Sequence, residues 1–263
     1  MPLIRQSGIL LLLTLAASPA RGQGAPDPLQ LADSLRKEID AAWLSGNRPR
    51  IDAARRFLDR ATTLFPKDGL LLHYKAYAMY RSLEIRPGEL SAETRNTMLD
   101  EGIRTFDESG KFTPLAESHA LRWSLLGQTI TDAGSAMAVM STMQGELAQA
   151  LRLGKDNPRV WLVQGQSAFF TPAQFGGGAA AALEHLTKAE SLFNSDHPAK
   201  GMPDWGRAEV YAWLGIVHQK LGHADESRKA YQAALRIEPG FTWVKDGLLP
   251  GLERGVQPFP EVP

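Results

Sequence analysis

The stretch from Ala208 to Phe241 constrains this chain more than any other. It places Tyr211, Leu214 and His218 three and four residues apart, so the three share one helical face. Gly215 removes a side chain where a second helix has to approach. Ser227, Tyr231 and Ala234 form the matching stripe on that second helix. Gly222 turns the chain between the two, and Pro239 stops the second helix. Two short helices with one apolar face each cannot stand alone. They are stable only when neighbouring pairs stack and bury those faces.

The same spacing recurs along the chain. Trp123, Leu126, Gly127 and Ile130 repeat the first-helix pattern, with Gly134 read as the turn and a long second helix running through Leu147 and Leu151 to Asn157-Pro158. Trp161 and Gly165 open another unit, and Ala182, Leu186 and Ala189 complete it. An insert, Thr171 to Gly178, lengthens the turn between them. Nearer the N-terminus, Ala54, Leu58, Ala61 and Pro66 read as a second helix. Leu72, Ala76 and Met79 read as a first helix, followed by a turn at Arg86-Pro87-Gly88 and a helix from about Ser91 to Phe106.

The unit at 208–241 resembles the tetratricopeptide repeat, with His218 for the usual Tyr and Ser227 for the usual Ala. The resemblance implies an all-α, right-handed solenoid of about five helix pairs over residues 27–241. The packing positions are then Tyr211, Leu214, Gly215, Tyr231, Ala234 and Pro239, with Trp123, Gly127, Trp161 and Gly165 in the earlier units. Residues 242–263 read as a cap carrying Trp243, Leu248 and Leu249, followed by a loose Pro-rich tail. Asn157-Pro158-Arg159, Thr171-Pro172 with Phe175 to Gly178, and Trp205-Gly206 also resemble a group of exported bacterial tetratricopeptide proteins without a settled activity.

Residues 1–20 read as a secretory signal peptide. Arg5 supplies the positive charge, Gly8 to Ala17 the apolar run, and Ser18-Pro19-Ala20 the small residues before cleavage. The run falls short of the about 20 residues that span a bilayer. Residues 21–26 are a linker, and no membrane span is expected after cleavage. The expected compartment is the periplasm or the exterior.

Charge and composition narrow the chemistry. Lys+Arg and Asp+Glu are equal at 29 each, which argues against nucleic acid as a partner. The absence of cysteine excludes disulfides, thiolate metal sites and thiol nucleophiles. The six histidines form no HExxH or comparable ligand spacing, so neither a metal nor a cofactor is expected. Gly176 to Gly178 precede a helix but lack the Lys-Ser/Thr of a phosphate loop, and read as a widened packing turn. Ser167 lacks the second glycine of a nucleophile elbow. No enzyme is expected.

The leading reading is a scaffold that binds a protein or peptide partner in a concave groove lined by first helices. The resemblance puts His73, Tyr77, Tyr80 and Arg81 there, with Ser124 and Gln128 from the next unit. Leu162, Gln166, Phe169 and Phe170 follow, then Ile216, Gln219 and Lys220. Arg81 and Lys220 would steer an acidic end. The alternative is a periplasmic small-molecule binding protein associated with a solute transporter. The tryptophans read as inter-repeat core or as a partner hot spot.

Overall fold

Side-chain caps set where the helices begin. Asp27, Asn47, Asp68, Ser91, Asp132 and Asn157 each accept a hydrogen bond from a backbone N–H of the first helical turn. The computed structural model describes residues 26–85 and 87–259. Their helices are α1 (Pro28–Leu44), α2 (Arg48–Leu64), α3 (Gly69–Glu84), α4 (Ala92–Phe112), α5 (Ala116–Gly127), α6 (Ala133–Gly154), α7 (Pro158–Phe170), α8 (Ala179–Phe193), α9 (Arg207–Lys220) and α10 (Ala224–Ile237). A π-helical turn, Trp243–Leu248, runs into α11 (Leu249–Glu253). No strand occurs among the described residues. Residues 1–20, where a signal peptide is expected, lie outside them.

The helices pack as five consecutive pairs, α1–α2 through α9–α10. First helices also meet one another directly, α1 with α3, α5 with α7 and α7 with α9, so they line the inside of the stack. The long second helix expected after Trp123 is α6. Its start differs from expectation: Asp132 caps it, Gly134 lies in its first turn, and Ile130 falls in the connection after α5. The helix expected to end near Phe106 continues to Phe112.

Close approach explains two of the repeat glycines. A Cβ on Gly215 would overlap the Tyr231 ring of α10, and one on Gly165 would sit 2.6 Å from Leu186 Cγ of α8. Leu214, Tyr231 and Ala234 are buried and belong to the core, while Trp123, Trp161 and Tyr211 are half-buried against it. Pro239 follows the α10 end, as expected. Gly127 is a correction. The nearest atom to a Cβ there is the flexible end of Met143, at 3.4 Å, so α5 and α6 do not require a glycine.

That looseness has a visible consequence. The α6 helix packs along α5 but scarcely meets α7, and its only buried residues are Glu146 and Ala150 in the C-terminal half. From Ala133 to Gly145 it carries no charge, and Met137 is 81% exposed.

Candidate functional site

The concave face is built by α3, α5, α7 and α9, and the chain fills it with its own parts. The α8–α9 connection, residues 194–206, folds inward. Tyr74 Oη donates to the Gly201 carbonyl at 2.6 Å, and Trp205 stacks on Tyr77 with ring centroids 5.8 Å apart. Asp204 lies 3.7 Å from both Arg36 of α1 and Arg159 of α7. Two glycines with positive φ, Gly201 (82°) and Gly206 (103°), let this Pro- and Gly-containing segment bend.

Arg81 is the centre of the interior. Its Nη1 and Nη2 donate to the two carboxylate oxygens of Glu209 at 3.1 and 2.6 Å, joining the second pair to the fifth. Nη1 also donates to Glu84 at 2.7 Å, and Nε donates to Tyr77 Oη at 2.9 Å. The guanidinium lies over the rings of Trp43 at 4.0 Å and Trp205 at 4.9 Å. Burial works against the charge on Arg81, but Glu209, Tyr77 and Glu84 outweigh it and hold its pKa well above the ordinary value. Burial also pushes the Glu84 carboxyl up to about 7, against the pull of Arg81. Gln166 Nε2 donates to Glu209 at 2.7 Å, so α7 joins the network.

The two ends of the stack close on each other as well. Trp43 of α1 packs against Phe241 with centroids 5.1 Å apart, and Thr242 Oγ1 donates to the Leu44 carbonyl at 3.1 Å.

These contacts place the residues expected in the concave groove. His73, Tyr77, Tyr80, Arg81, Leu162, Gln166, Phe169, Ile216 and Gln219 are all buried. They face inward as expected, but the face is covered, so they do not line an open groove. The physical reason is the 194–206 segment together with the Arg81–Glu209 closure. Ser124, Gln128 and Lys220 are half-buried, and Gln128 accepts from Arg95 at 3.0 Å. Phe170 is exposed at 47%. His73 Nδ1 contacts Ser118 Oγ at 2.8 Å, its ring stacks on Tyr77, and burial drives its pKa down to about 3. His218 and His223 do come together, with centroids 5.8 Å apart, though no metal-binding group of three forms among the described residues.

A second cluster forms between the end of α7 and the middle of α9. Phe169, Phe170 and Trp213 surround Phe259 of the C-terminal tail. Phe259 stacks on Trp213 with centroids 5.9 Å apart and planes 7° from parallel. It meets Phe170 edge-on at 5.3 Å and Phe169 at 5.9 Å. Gln219 Nε2 donates to the Val256 carbonyl at 2.7 Å. The tail is therefore held as far as Phe259, rather than loose. Trp243 joins this cluster through Trp213 at 5.8 Å, whereas Trp205 belongs to the interior with Arg81.

Sequence reasoning missed Glu209, Asp40 and Trp43, the partners that close the interior. Tyr77 Oη donates to Asp40 at 2.6 Å. The one signal available was the length of the 194–206 connection, which exceeds the other turns between pairs.

Comparison with known proteins agrees with this architecture. The sequence profile of the tetratricopeptide repeat matches residues 208–241. The chain carries a tetratricopeptide repeat at these residues. Its fold is similar to that of the haemophore HusA from Porphyromonas gingivalis, at 21% identity and a TM-score of 0.59, over 76% of this chain and 96% of that one. It is also similar to a thermophilic tetratricopeptide-repeat protein of Thermus thermophilus, at 16% identity and a TM-score of 0.59, over 86% and 99% of the two chains. At these identities the likeness concerns the fold. A search of curated proteins finds no relative.

Proposed function

We propose that this tetratricopeptide-repeat protein is an exported scaffold that binds a protein or peptide partner, and that it does so along the edge of the stack where its first helices end. Repeats of this kind generally mediate contacts between proteins. Successive first helices run parallel, so the α5–α6 turn, the 171–178 connection and the end of α9 open on the same side. The observation that carries the reading is the set of exposed apolar side chains that the α5–α6 turn, the start of α6, the end of α7 and the 171–178 connection carry. Phe175 is 75% exposed, and Ile130, Met137, Met140 and Phe170 are exposed as well. Apolar side chains grouped on a surface are the usual mark of an interaction site. Methionines on the uncharged half of α6 can adapt to irregular partners.

Export rests on residues 1–20, and N-terminal sequencing of protein from the envelope should begin at or near Arg21. No described helix is long and apolar enough to cross a membrane. The test of binding is capture from the envelope fraction by the tagged mature chain, compared with a Met137→Ser, Met140→Ser, Phe175→Ser variant. These side chains are exposed, so the variant should keep its melting temperature and lose the partner. Equal capture by both chains would remove this edge as the binding site.

Carriage of an apolar small molecule is the second reading. It is supported by the uncharged half of α6 standing off α7, and by the fold likeness to a protein described as a haemophore. Titration with haemin, read by its absorption spectrum, separates the two. Saturable binding lost in the triple variant would favour the carrier.

A further inference from the structure

The tail segment at 256–259 is seated on side chains that a partner would otherwise meet. Phe259 lies flat on Trp213 and is flanked by the edges of Phe169 and Phe170. Pro258 precedes it and Pro260 follows it in the sequence. The carbonyl of Val256 accepts from Gln219 Nε2, a side chain that also accepts from Tyr231 Oη at 3.2 Å and is thereby oriented. The seat thus offers one aromatic slot and one side-chain donor aimed at a backbone carbonyl three residues upstream. Phe170 remains 47% exposed with the tail in place, so the slot is only partly covered.

We propose that this seat recognises an aromatic residue flanked by proline in an extended segment of a partner protein, and that the chain's own Val256–Phe259 is a resident competitor. The inference rests on the scaffold reading above and extends its surface, through the shared Phe170, to Phe169 and Trp213. Proline on either side favours an extended backbone and lowers the entropic cost of ordering it. The ring supplies the buried area, and offset or edge-on aromatic contacts add geometric preference. A tethered segment sits at an effective concentration of about millimolar. It therefore masks the seat from weak peptides and yields to a better or multivalent one.

The experiment uses the full mature chain, wild type and Phe259→Ala, with a labelled synthetic peptide of residues 256–263 as probe, read by fluorescence anisotropy. The Phe259→Ala chain should bind the peptide about tenfold or more tightly than the wild type, because the competitor is gone. A peptide with alanine in place of its phenylalanine should not bind. Phe170→Ala in the Phe259→Ala background should weaken the peptide. Phe259→Leu keeps apolar cover over Trp213 and should give an intermediate gain, which serves if the alanine chain melts early. Equal affinity of wild type and variants, or binding indifferent to the peptide's phenylalanine, overturns the proposal. Equal partner capture by wild type and Phe259→Ala also overturns it, while leaving the scaffold reading in place. Peptide binding as described, with no partner captured from the envelope, leaves the seat and removes the scaffold reading.

Discussion

Arg81 and Glu209 form a two-pronged ion pair at 3.1 and 2.6 Å across the inside of the stack, with both side chains 1% exposed. The pair is out of water, so its worth lies in what happens when one partner is lost. Attraction between buried charges roughly offsets their desolvation, but a lone buried charge has nothing to offset it.

Arg81→Met should therefore cost about 3–5 kcal/mol, since it leaves the buried Glu209 carboxylate without a counter-charge and with only the Gln166 amide as a donor. The double variant Arg81→Met, Glu209→Leu should recover much of that loss. Urea unfolding of the three chains checks it. A double variant no more stable than Arg81→Met would show that Glu84, the other carboxylate paired with Arg81, carries the loss instead.

Tyr77 and Tyr80 follow from the same geometry. Both are buried, and Tyr77 bridges Asp40 and Arg81 through its hydroxyl. Truncation of a buried large aromatic costs about 3–5 kcal/mol. Two such losses approach the whole stability of an ordinary domain, about 5–15 kcal/mol. The paired Tyr77→Ala, Tyr80→Ala chain should fail to give a cooperative unfolding transition by circular dichroism. A paired variant that melts within a few degrees of the wild type would return these side chains to an open surface.

Much of the fold was legible because local spacing encodes it. Tyr211, Leu214, Gly215 and Tyr231 state a helix pair within one stretch of chain, and Gly165 with Leu186 repeats the statement. Asp27, Asn157 and Pro239 mark helix ends through short-range rules. The state of the concave face was not legible, because it depends on contacts such as Arg81–Glu209 and Trp43–Phe241 that no local pattern reports. An arginine off the packing stripe of a first helix reads as a groove residue until its distant carboxylate is known. Phe259 was missed for a related reason. A Pro-rich end has no helical or strand period, so only its seat on Trp213 shows that it is held.

His73 gives a pH test with a definite sign. Ser118, Tyr74, Tyr77 and Phe106 surround it, and burial lowers its pKa from 6.5 to about 3. The unfolded chain then binds a proton between those values that the folded chain refuses. The contribution of His73 is present above pH 6.5 and is lost as the pH falls toward 3, by at most about 1.4 kcal/mol per pH unit. Glu84 acts in the opposite sense. Its pKa rises from 4.5 to about 7, so its contribution is present below 4.5 and is lost as the pH rises through 7. The two overlap, so the measurement is a difference: urea stability of wild type and His73→Phe from pH 4 to 7. The gap between them should shift steadily in favour of the variant as the pH falls. A constant gap would mean that His73 takes up a proton in the folded chain.

Two glycines in helices should respond oppositely to the same substitution. Gly215 faces the Tyr231 ring so closely that a Cβ cannot be placed without moving α10. Gly215→Ala should cost about 1–3 kcal/mol by overpacking, and Gly215→Leu more. Gly145 lies in the exposed half of α6 with no atom within 4 Å of the Cβ position. There the helix pays only the backbone entropy of glycine, so Gly145→Ala should gain about 0.5–1 kcal/mol. Thermal unfolding of both variants checks the contrast. Equal effects at the two sites would place α10 further from α9 than the Gly215–Tyr231 contact requires. A loss at Gly145 would indicate that the apolar half of α6 is already covered in solution.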